Sequence, residues 1–255
     1  MNFTRFLRVW FSILFVLFGC IAASQTIREP IWSPIDEIAH YDYIDRLSSG
    51  QIPQPDQPIS EYTFRITTHY FDWIGSKNYD GTLKSLGPAG YSYEAQQPPV
   101  YYLILALPNA LLKALRVPPP AQITILRLIS ALMVMLGAAS AGLVVARLRR
   151  FIPIDPLWAW AIPVILIIPN WSWQVQLNNG SLSLLMLNLS LAFLIASFEP
   201  EASGRSATLA VLFGTLAALT KYTYLLYLPE LVLALFIAAV LRQRTEKRRA
   251  WAWQL

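Results

Sequence analysis

The most reactive group of side chains in this sequence lies near its beginning, between Ser33 and Ile44. Within that segment Asp36, His40 and Tyr43 follow the spacing that places side chains on one face of a helix. A carboxylate, an imidazole and a phenol on one face could act as a general base or hold a divalent metal ion. An acidic pair at Asp36 and Glu37 also stabilises the first turn of any helix, so both interpretations stay open.

The flanking residues predict where this helix starts and stops. Ser33 is suited to the N-cap position and Pro34 to the first helical position. Gly50 is suited to the C-terminal stop, where a left-handed backbone conformation is common. We therefore predict a short polar helix that begins with the reactive group.

Two later segments also carry residues capable of binding. In the first, Pro98 and Pro99 impose an extended entry to the following helix and place Tyr101 and Tyr102 at the depth of lipid headgroups. An ordinary interfacial aromatic belt would look the same. The second is Asn178–Ser181, where Asn-Gly is a common turn former.

Lys221 is the other residue of interest, because it lies between two apolar runs. Glu230 sits within the second of these runs, where a carboxylate is costly and needs a partner. Lys221 could pair with Glu230 for structure alone, or it could hold a lipid phosphate.

Composition places all of these residues in a membrane protein. Of the 255 residues, 55% are hydrophobic and only 14% are charged, whereas soluble domains average about 25% charged residues. The net charge of +5 does not indicate nucleic-acid binding, because most basic residues flank apolar runs, where anionic headgroups and topology explain them. Cys20 is the single cysteine, which excludes an internal disulfide and a Cys-based zinc site.

Apolar runs long enough to cross a bilayer, or nearly so, recur along the chain. They are Phe6–Ala23, Ile123–Ala146, Pro156–Trp173, Leu182–Ser197, Ala207–Thr220 and Tyr222–Leu241. A further stretch, Val100–Leu115, is short, contains Pro108 and ends with Lys113 and Arg116. Only if this stretch does not cross do all strong basic clusters fall on the cytoplasmic side, so we predict that it lies at the outer surface.

The fold predicted from this pattern is an all-α integral membrane protein with about six transmembrane helices and a large outer first loop that contains juxtamembrane helices. It forms one polytopic domain in the cell (inner or plasma) membrane, with both termini cytoplasmic. Its parts are a first span (1–23), an outer loop (24–122) with an interfacial helix near 100–116, five further spans (123–241) and a basic cytoplasmic tail (242–255). The alternative for the first run is a cleaved signal peptide, but a retained span is expected.

In order, these segments resemble the GT-C superfamily of membrane glycosyltransferases, in the branch of protein O-mannosyltransferases and lipid A aminoarabinose transferases. Four elements over nearly the whole chain carry the resemblance. They are Pro34-Ile35-Asp36-Glu37-Ile38-Ala39-His40, Gly50-Gln51-Ile52-Pro53, Glu94 to Tyr102 with its Pro-Pro pair, and Arg127-Leu128-Ile129-Ser130 followed by Arg147 to Arg150. The Lys221-Tyr222 turn is also similar.

The resemblance implies a transferase that moves a sugar from a polyprenyl-phosphate donor to an acceptor at the outer face. Asp36 would be the catalytic carboxylate or the ligand of a divalent cation (Mg or Mn), supported by Glu37 and His40. Substrate or the lipid phosphate would be bound by Glu94, Tyr101 and Lys221. The expected partners are the polyprenyl-phosphate sugar and membrane lipids, and no nucleic acid.

Three departures from the family pattern support an alternative. Gly180 stands where relatives often have Asp, Gln97 stands where some have Lys, and the chain has fewer spans than complete members. The alternative is a truncated, non-catalytic membrane protein that binds a polyprenyl lipid or a partner subunit. A transporter fits less well, because Glu230 is almost the only charge within the later spans.

Overall fold

The computed structural model describes residues 3–29, 31–32, 36–70, 82–167, 176–199, 202 and 204–252. Apart from one isolated bridge between Pro58 and Tyr91, the regular structure in this part of the chain is helical. The α-helices are α1 (Phe3–Arg28), α2 (Asp36–Ser48), α3 (Glu61–His69), α4 (Val100–Ala114), α5 (Pro119–Leu148), α6 (Trp158–Ile167), α7 (Gly180–Ser197), α8 (Gly204–Ala218) and α9 (Tyr227–Ala252). Short 3₁₀ segments lie at Leu83–Gly90, Tyr93–Gln96 and Tyr222–Leu226.

Within the described residues, four helical stretches are long and apolar enough to cross a membrane, namely Leu7–Arg28, Pro119–Leu148, Gly180–Ser197 and Tyr222–Gln243. The prediction of a helical membrane protein is therefore confirmed, with four of the expected spans. The helix α8 is apolar but has only 15 residues. The predicted span Pro156–Trp173 overlaps α6, but its last six residues lie outside the described part of the chain.

The long helices pack through small residues and buried polar side chains. A methyl group added to Gly137 of α5 would meet Leu184 of α7 at 3.1 Å, so the two helices approach closely there. The Asn188 side chain of α7 donates to the Gly137 carbonyl oxygen at 2.9 Å. Ser190, also on α7, donates to the Ala210 carbonyl oxygen of α8 at 2.7 Å. Small residues and interhelical hydrogen bonds of this kind hold helices together where lipid offers no hydrophobic driving force.

The two ends of the helical bundle differ in character. At one end, Arg147 at the close of α5 pairs with Glu199 beyond α7 at 2.8 Å, and Arg150 pairs with the same carboxylate. The first turns of α1, with Arg5 and Arg8, lie at this basic end too, beside Trp160 of α6. The opposite end carries the loop helices α2 and α3, the start of α5 and the end of α8.

The helix α2 is polar in sequence but its residues Glu37–Asp45 are all buried, because it is covered by α3, α4 and the 3₁₀ segments. It runs beside α4 in the same direction, with His40 opposite Tyr102 near their beginnings. Near their ends, Lys113 Nζ donates to Asp45 Oδ1 at 2.7 Å. The sequence suggested that Lys113 marks an interfacial helix end, and the structure gives it a buried partner on α2.

The predicted boundaries of α2 can be compared with the structure only at its end. Ser33 and Pro34, the expected cap and first residue, lie outside the described residues. The helix ends at Ser48, and Gly50 adopts the left-handed conformation with φ of 73°. Gln51 N–H then donates to the Arg46 carbonyl oxygen at 2.9 Å, which closes the helix end as predicted.

Candidate functional site

Segments that are far apart in the sequence meet at the end of the bundle opposite the basic end. Leu177 N–H donates to Glu37 Oε1 at 3.1 Å, which joins α2 to the segment before α7. Val100 N–H donates to the Leu219 carbonyl oxygen at 3.1 Å, which joins the start of α4 to the end of α8. All four segments singled out in the sequence are thereby brought to one place, which we call the loop-face site.

Asp36 is the exposed member of the loop-face site. It opens α2, and its Oδ1 accepts a hydrogen bond from the Tyr93 hydroxyl at 2.5 Å. Burial and the neighbouring Asp36 carboxylate raise the pKa of Tyr93, so its hydroxyl keeps its proton and stays a donor. Asp36 is thus a solvent-exposed carboxylate positioned by the hydrogen bond from Tyr93. Its remaining oxygen lone pairs could accept a further hydrogen bond or bind a cation.

His40, Tyr102 and Glu94 form a hydrogen-bonded chain just beneath Asp36. His40 Nδ1 lies 2.9 Å from the Tyr102 hydroxyl, which in turn lies 3.2 Å from Glu94 Oε2. A single tautomer satisfies both bonds with the carboxylate ionised: His40 Nδ1–H donates to Tyr102, and Tyr102 donates to Glu94. The Tyr43 ring stacks on Tyr102 with centroids 3.8 Å apart and fixes the middle of the chain.

The electrostatics of this chain follow from its burial. Burial and, to a smaller extent, the charge of Lys221 lower the pKa of His40 to about 4, against the opposing effect of Asp36. Burial and Asp36 raise the pKa of Glu94, whereas the hydrogen bond from Tyr102 and the charge of Lys221 lower it. At neutral pH the imidazole is therefore uncharged.

Lys221 brings a positive charge close to this hydrogen-bonded chain. It lies between the end of α8 and the 3₁₀ segment Tyr222–Leu226, and it is close enough to His40 and Glu94 to shift the pKa of both. Within the described residues its ammonium group makes no ion pair. The pairing with Glu230 suggested by the sequence does not form, and Glu230 is exposed on the first turn of α9.

Glu37 and Tyr101 are placed differently from the other predicted site residues. Both carboxylate oxygens of Glu37 accept from Arg127 of α5, at 2.7 and 2.6 Å, and both side chains are completely buried. The Tyr101 hydroxyl bonds Ser130 at 2.8 Å and accepts from Asn178 N–H at 3.0 Å. These residues hold the loops on the bundle, and their polar atoms are engaged by the protein.

A second buried network sets the position of Tyr93 and Glu94. Asp42 of α2 is fully buried and accepts from Arg46 Nε at 2.9 Å, from Ser60 N–H at 2.6 Å and from the Ser92 hydroxyl. Ser92 immediately precedes Tyr93, so this contact ties the 3₁₀ segment to the helix that carries Asp36.

Sequence reasoning did not assign Tyr93, Tyr102 or Asp42 to the site. The adjacency of Tyr93 to Glu94 and the polar character of α2 were the available signals, but neither reveals which side chains meet. Among the described residues, no three His, Cys, Asp or Glu side chains are grouped so as to hold a metal ion.

Fold and site together define an all-helical membrane protein that carries a polar, partly cationic site at one end of its helical bundle. No protein-family model, curated protein or solved structure matches this chain.

Proposed function

We propose that this protein transfers a sugar from a polyprenyl-phosphate donor to an acceptor hydroxyl at the membrane surface. The observation that carries the proposal is that an exposed carboxylate, Asp36, and a cation, Lys221, both lie close enough to His40 and Glu94 to shift the pKa of each, where loops cover an apolar helical bundle. A lipid-linked phosphate emerges from the bilayer at that depth. The ordered resemblance of these segments to the GT-C glycosyltransferases supports the same function.

In the proposed reaction Lys221 binds the donor phosphate and Asp36 takes the proton of the acceptor hydroxyl. The acceptor oxygen forms a bond to the anomeric carbon of the sugar, and the bond from that carbon to the phosphate oxygen breaks. The polyprenyl phosphate leaves with the bonding electron pair, which Lys221 stabilises. The hydrogen bonds from His40 to Tyr102 and from Tyr102 to Glu94 keep the elements that form the site in place. In a variant of this mechanism, Asp36 binds Mg²⁺ or Mn²⁺ that neutralises the phosphate, and removal of divalent cations would then stop transfer.

The proposal places the loop-face site on the outer side of the membrane and the basic end in the cytoplasm. Basic residues concentrate on the cytoplasmic side of membrane proteins, and Arg5, Arg8, Arg147 and Arg150 share one end of this bundle. In this topology α6 and α8 cross the membrane and α4 lies along α2 at the surface. The resulting six spans place the loop-face site outside and the basic end in the cytoplasm.

Cysteine labelling tests this topology. In a Cys20→Ser background, we expect Glu61→Cys on α3 to react with an impermeant maleimide added to intact cells. Arg149 at the end of α5 is also exposed, but Arg149→Cys should react only after permeabilisation. Labelling of position 149 in intact cells would contradict the proposed orientation.

Lys221→Gln tests the phosphate site. We expect the Kd of the purified protein for undecaprenyl phosphate to rise by about tenfold or more, because hydrogen bonds to charged groups contribute about 1.5–3 kcal/mol. Lys84→Gln is the matched control, since Lys84 is an exposed lysine in the 3₁₀ segment Leu83–Gly90, which packs against α2. Equal affinity of the wild-type protein and Lys221→Gln would remove Lys221 from the site.

A second function, non-catalytic binding of a polyprenyl lipid, is favoured by one feature. At the first residue of α7 the chain has Gly180 in place of an acidic residue. Gly180 N–H donates a hydrogen bond to Asn178 Oδ1 at 2.6 Å. This function predicts that Lys221→Gln weakens lipid binding while the wild-type protein transfers no sugar.

A further inference from the structure

An open apolar groove follows one face of α1 at the basic end of the bundle. Its volume is about 640 Å³, and it extends from Arg5 to Cys20 with Trp160 of α6 as its opposite wall. A second cavity of about 470 Å³ adjoins it between α1, α5 and α6 and shares Val16 and Trp160 with it. Together we call them the α1 groove.

Hydrocarbon is the only class of ligand that suits the body of this groove. Its surface beyond the arginines is made by apolar side chains such as Val9, Ile13 and Val16, which are each about half exposed. The hydroxyl of Ser12 also lines the groove, but it donates to the Arg8 carbonyl oxygen at 3.0 Å. A polar ligand would lose its hydration along this surface and find no partner in exchange.

The length of the groove matches one leaflet of a bilayer. From Arg8 to Cys20 α1 advances twelve residues, or about 18 Å at 1.5 Å per residue. The hydrocarbon core of a bilayer is about 30 Å thick, so one leaflet is about 15 Å deep. A chain lying in the groove would thus reach the bilayer midplane when its polar head is level with Arg8.

The charge at the basic end of the α1 groove indicates which head group the bound lipid would carry. Arg5 and Arg8 are one turn apart on the groove face, and both side chains are exposed. Within the described residues neither guanidinium pairs with a carboxylate. Arginine binds phosphate oxygens in bidentate fashion, and clusters of basic residues at the membrane surface attract anionic lipids.

We propose that the α1 groove binds one anionic phospholipid, with an acyl chain against Val16 and Trp160 and the headgroup phosphate on Arg5 and Arg8. This site is separate from the loop-face site, because α1 runs the full bundle length between them and Asp36 follows its far end. Binding here is independent of the proposed transferase activity. The lipid would brace α1, whose main contacts with the rest of the described bundle are with α5 and α6.

Native mass spectrometry of the purified protein tests this site with phosphatidylglycerol and phosphatidylcholine of identical acyl chains. We expect one phosphatidylglycerol to be retained with about tenfold preference, as charge-assisted contacts to the headgroup would give. Val16→Trp should fill the groove and lower retention of phosphatidylglycerol by a similar factor. Ile27→Trp is the matched control, because Ile27 is a β-branched residue of α1, 64% exposed, that does not line the groove.

The arginines are tested separately. Arg5→Gln with Arg8→Gln should abolish the preference for phosphatidylglycerol. Arg116, just beyond α4, and Arg205, in the first turn of α8, are exposed and do not line the groove. Arg116→Gln with Arg205→Gln therefore removes the same charge and should preserve the preference. Cysteine labelling establishes that both double variants insert in the wild-type orientation. Equal retention of the two lipids by the wild-type protein, or undiminished phosphatidylglycerol binding by Val16→Trp, would overturn the proposal.

Discussion

Asp36→Asn should lower sugar transfer by about 10²- to 10⁴-fold while leaving the fold and the binding of undecaprenyl phosphate nearly unchanged, as removal of a general base typically does. The amide keeps the shape of the side chain and can still accept the hydrogen bond from Tyr93. It cannot take a proton from an acceptor hydroxyl. The measurement is release of undecaprenyl phosphate from a panel of undecaprenyl-phosphate sugars incubated with purified protein and cell-envelope acceptors.

The control for Asp36→Asn must remove an exposed first-turn charge without touching the site. Glu61→Gln meets this requirement, because Glu61 is an exposed residue in the first turn of α3. Loss of a first-turn charge costs only about 0.3–1 kcal/mol. Similar turnover by Asp36→Asn and wild-type protein at matched levels would exclude Asp36 as the general base. If the wild-type protein binds undecaprenyl phosphate and releases none from any donor, the non-catalytic function is favoured.

Arg127→Leu should destabilise the protein by about 3–5 kcal/mol, the cost of leaving a buried charge without its partner. The two guanidinium contacts to Glu37 are lost, and so is the 3.1 Å bond from Arg127 to the Glu29 carbonyl oxygen at the end of α1. Three parts of the chain, α1, α2 and α5, depend on this one side chain. The measurement is the apparent melting temperature in detergent, followed by intrinsic fluorescence.

A double variant distinguishes the ion pair from packing. Glu37→Leu combined with Arg127→Leu removes both buried charges, so it should be more stable than Arg127→Leu alone. The exposed pair Arg65–Glu61, 3.9 Å apart, serves as the reference, and Arg65→Leu should cost less than about 1 kcal/mol. A melting temperature for Arg127→Leu equal to that of Arg65→Leu would show that the buried pair does not anchor α2.

The ion pair also changes how the acidic pair at the start of α2 is understood. In the sequence Asp36 and Glu37 can both stabilise a helix start, and the family resemblance implies Asp36 as the catalytic carboxylate with Glu37 in support. In the structure one carboxylate is exposed and the other is completely buried against Arg127. The proposed chemistry is therefore assigned to Asp36, and Glu37 is proposed to support it by holding α2 in place.

The lengths of the apolar runs were sufficient to locate the apolar helices, whereas the polar helix α3 was not predicted. The predicted runs Ile123–Ala146, Leu182–Ser197 and Ala207–Thr220 lie within a few residues of α5, α7 and α8. The short run Val100–Leu115 corresponds to α4 within one residue. Run length is local information, because a bilayer of fixed thickness and a helix of fixed rise set it without reference to the rest of the chain.

The partners of the polar residues were decided only by the tertiary structure. Glu37 meets Arg127 and Leu177 across 90 and 140 residues, and Lys113 meets Asp45 across 68. The sequence suggested an ion pair between Lys221 and Glu230, nine positions away. In the structure Lys221 instead lies close enough to His40 and Glu94 to shift the pKa of both. A buried charge needs a partner whose identity depends on which helix faces it. Helix orientation in turn depends on packing between distant segments, so spacing along the chain specified the types of residue in the site but not their pairing.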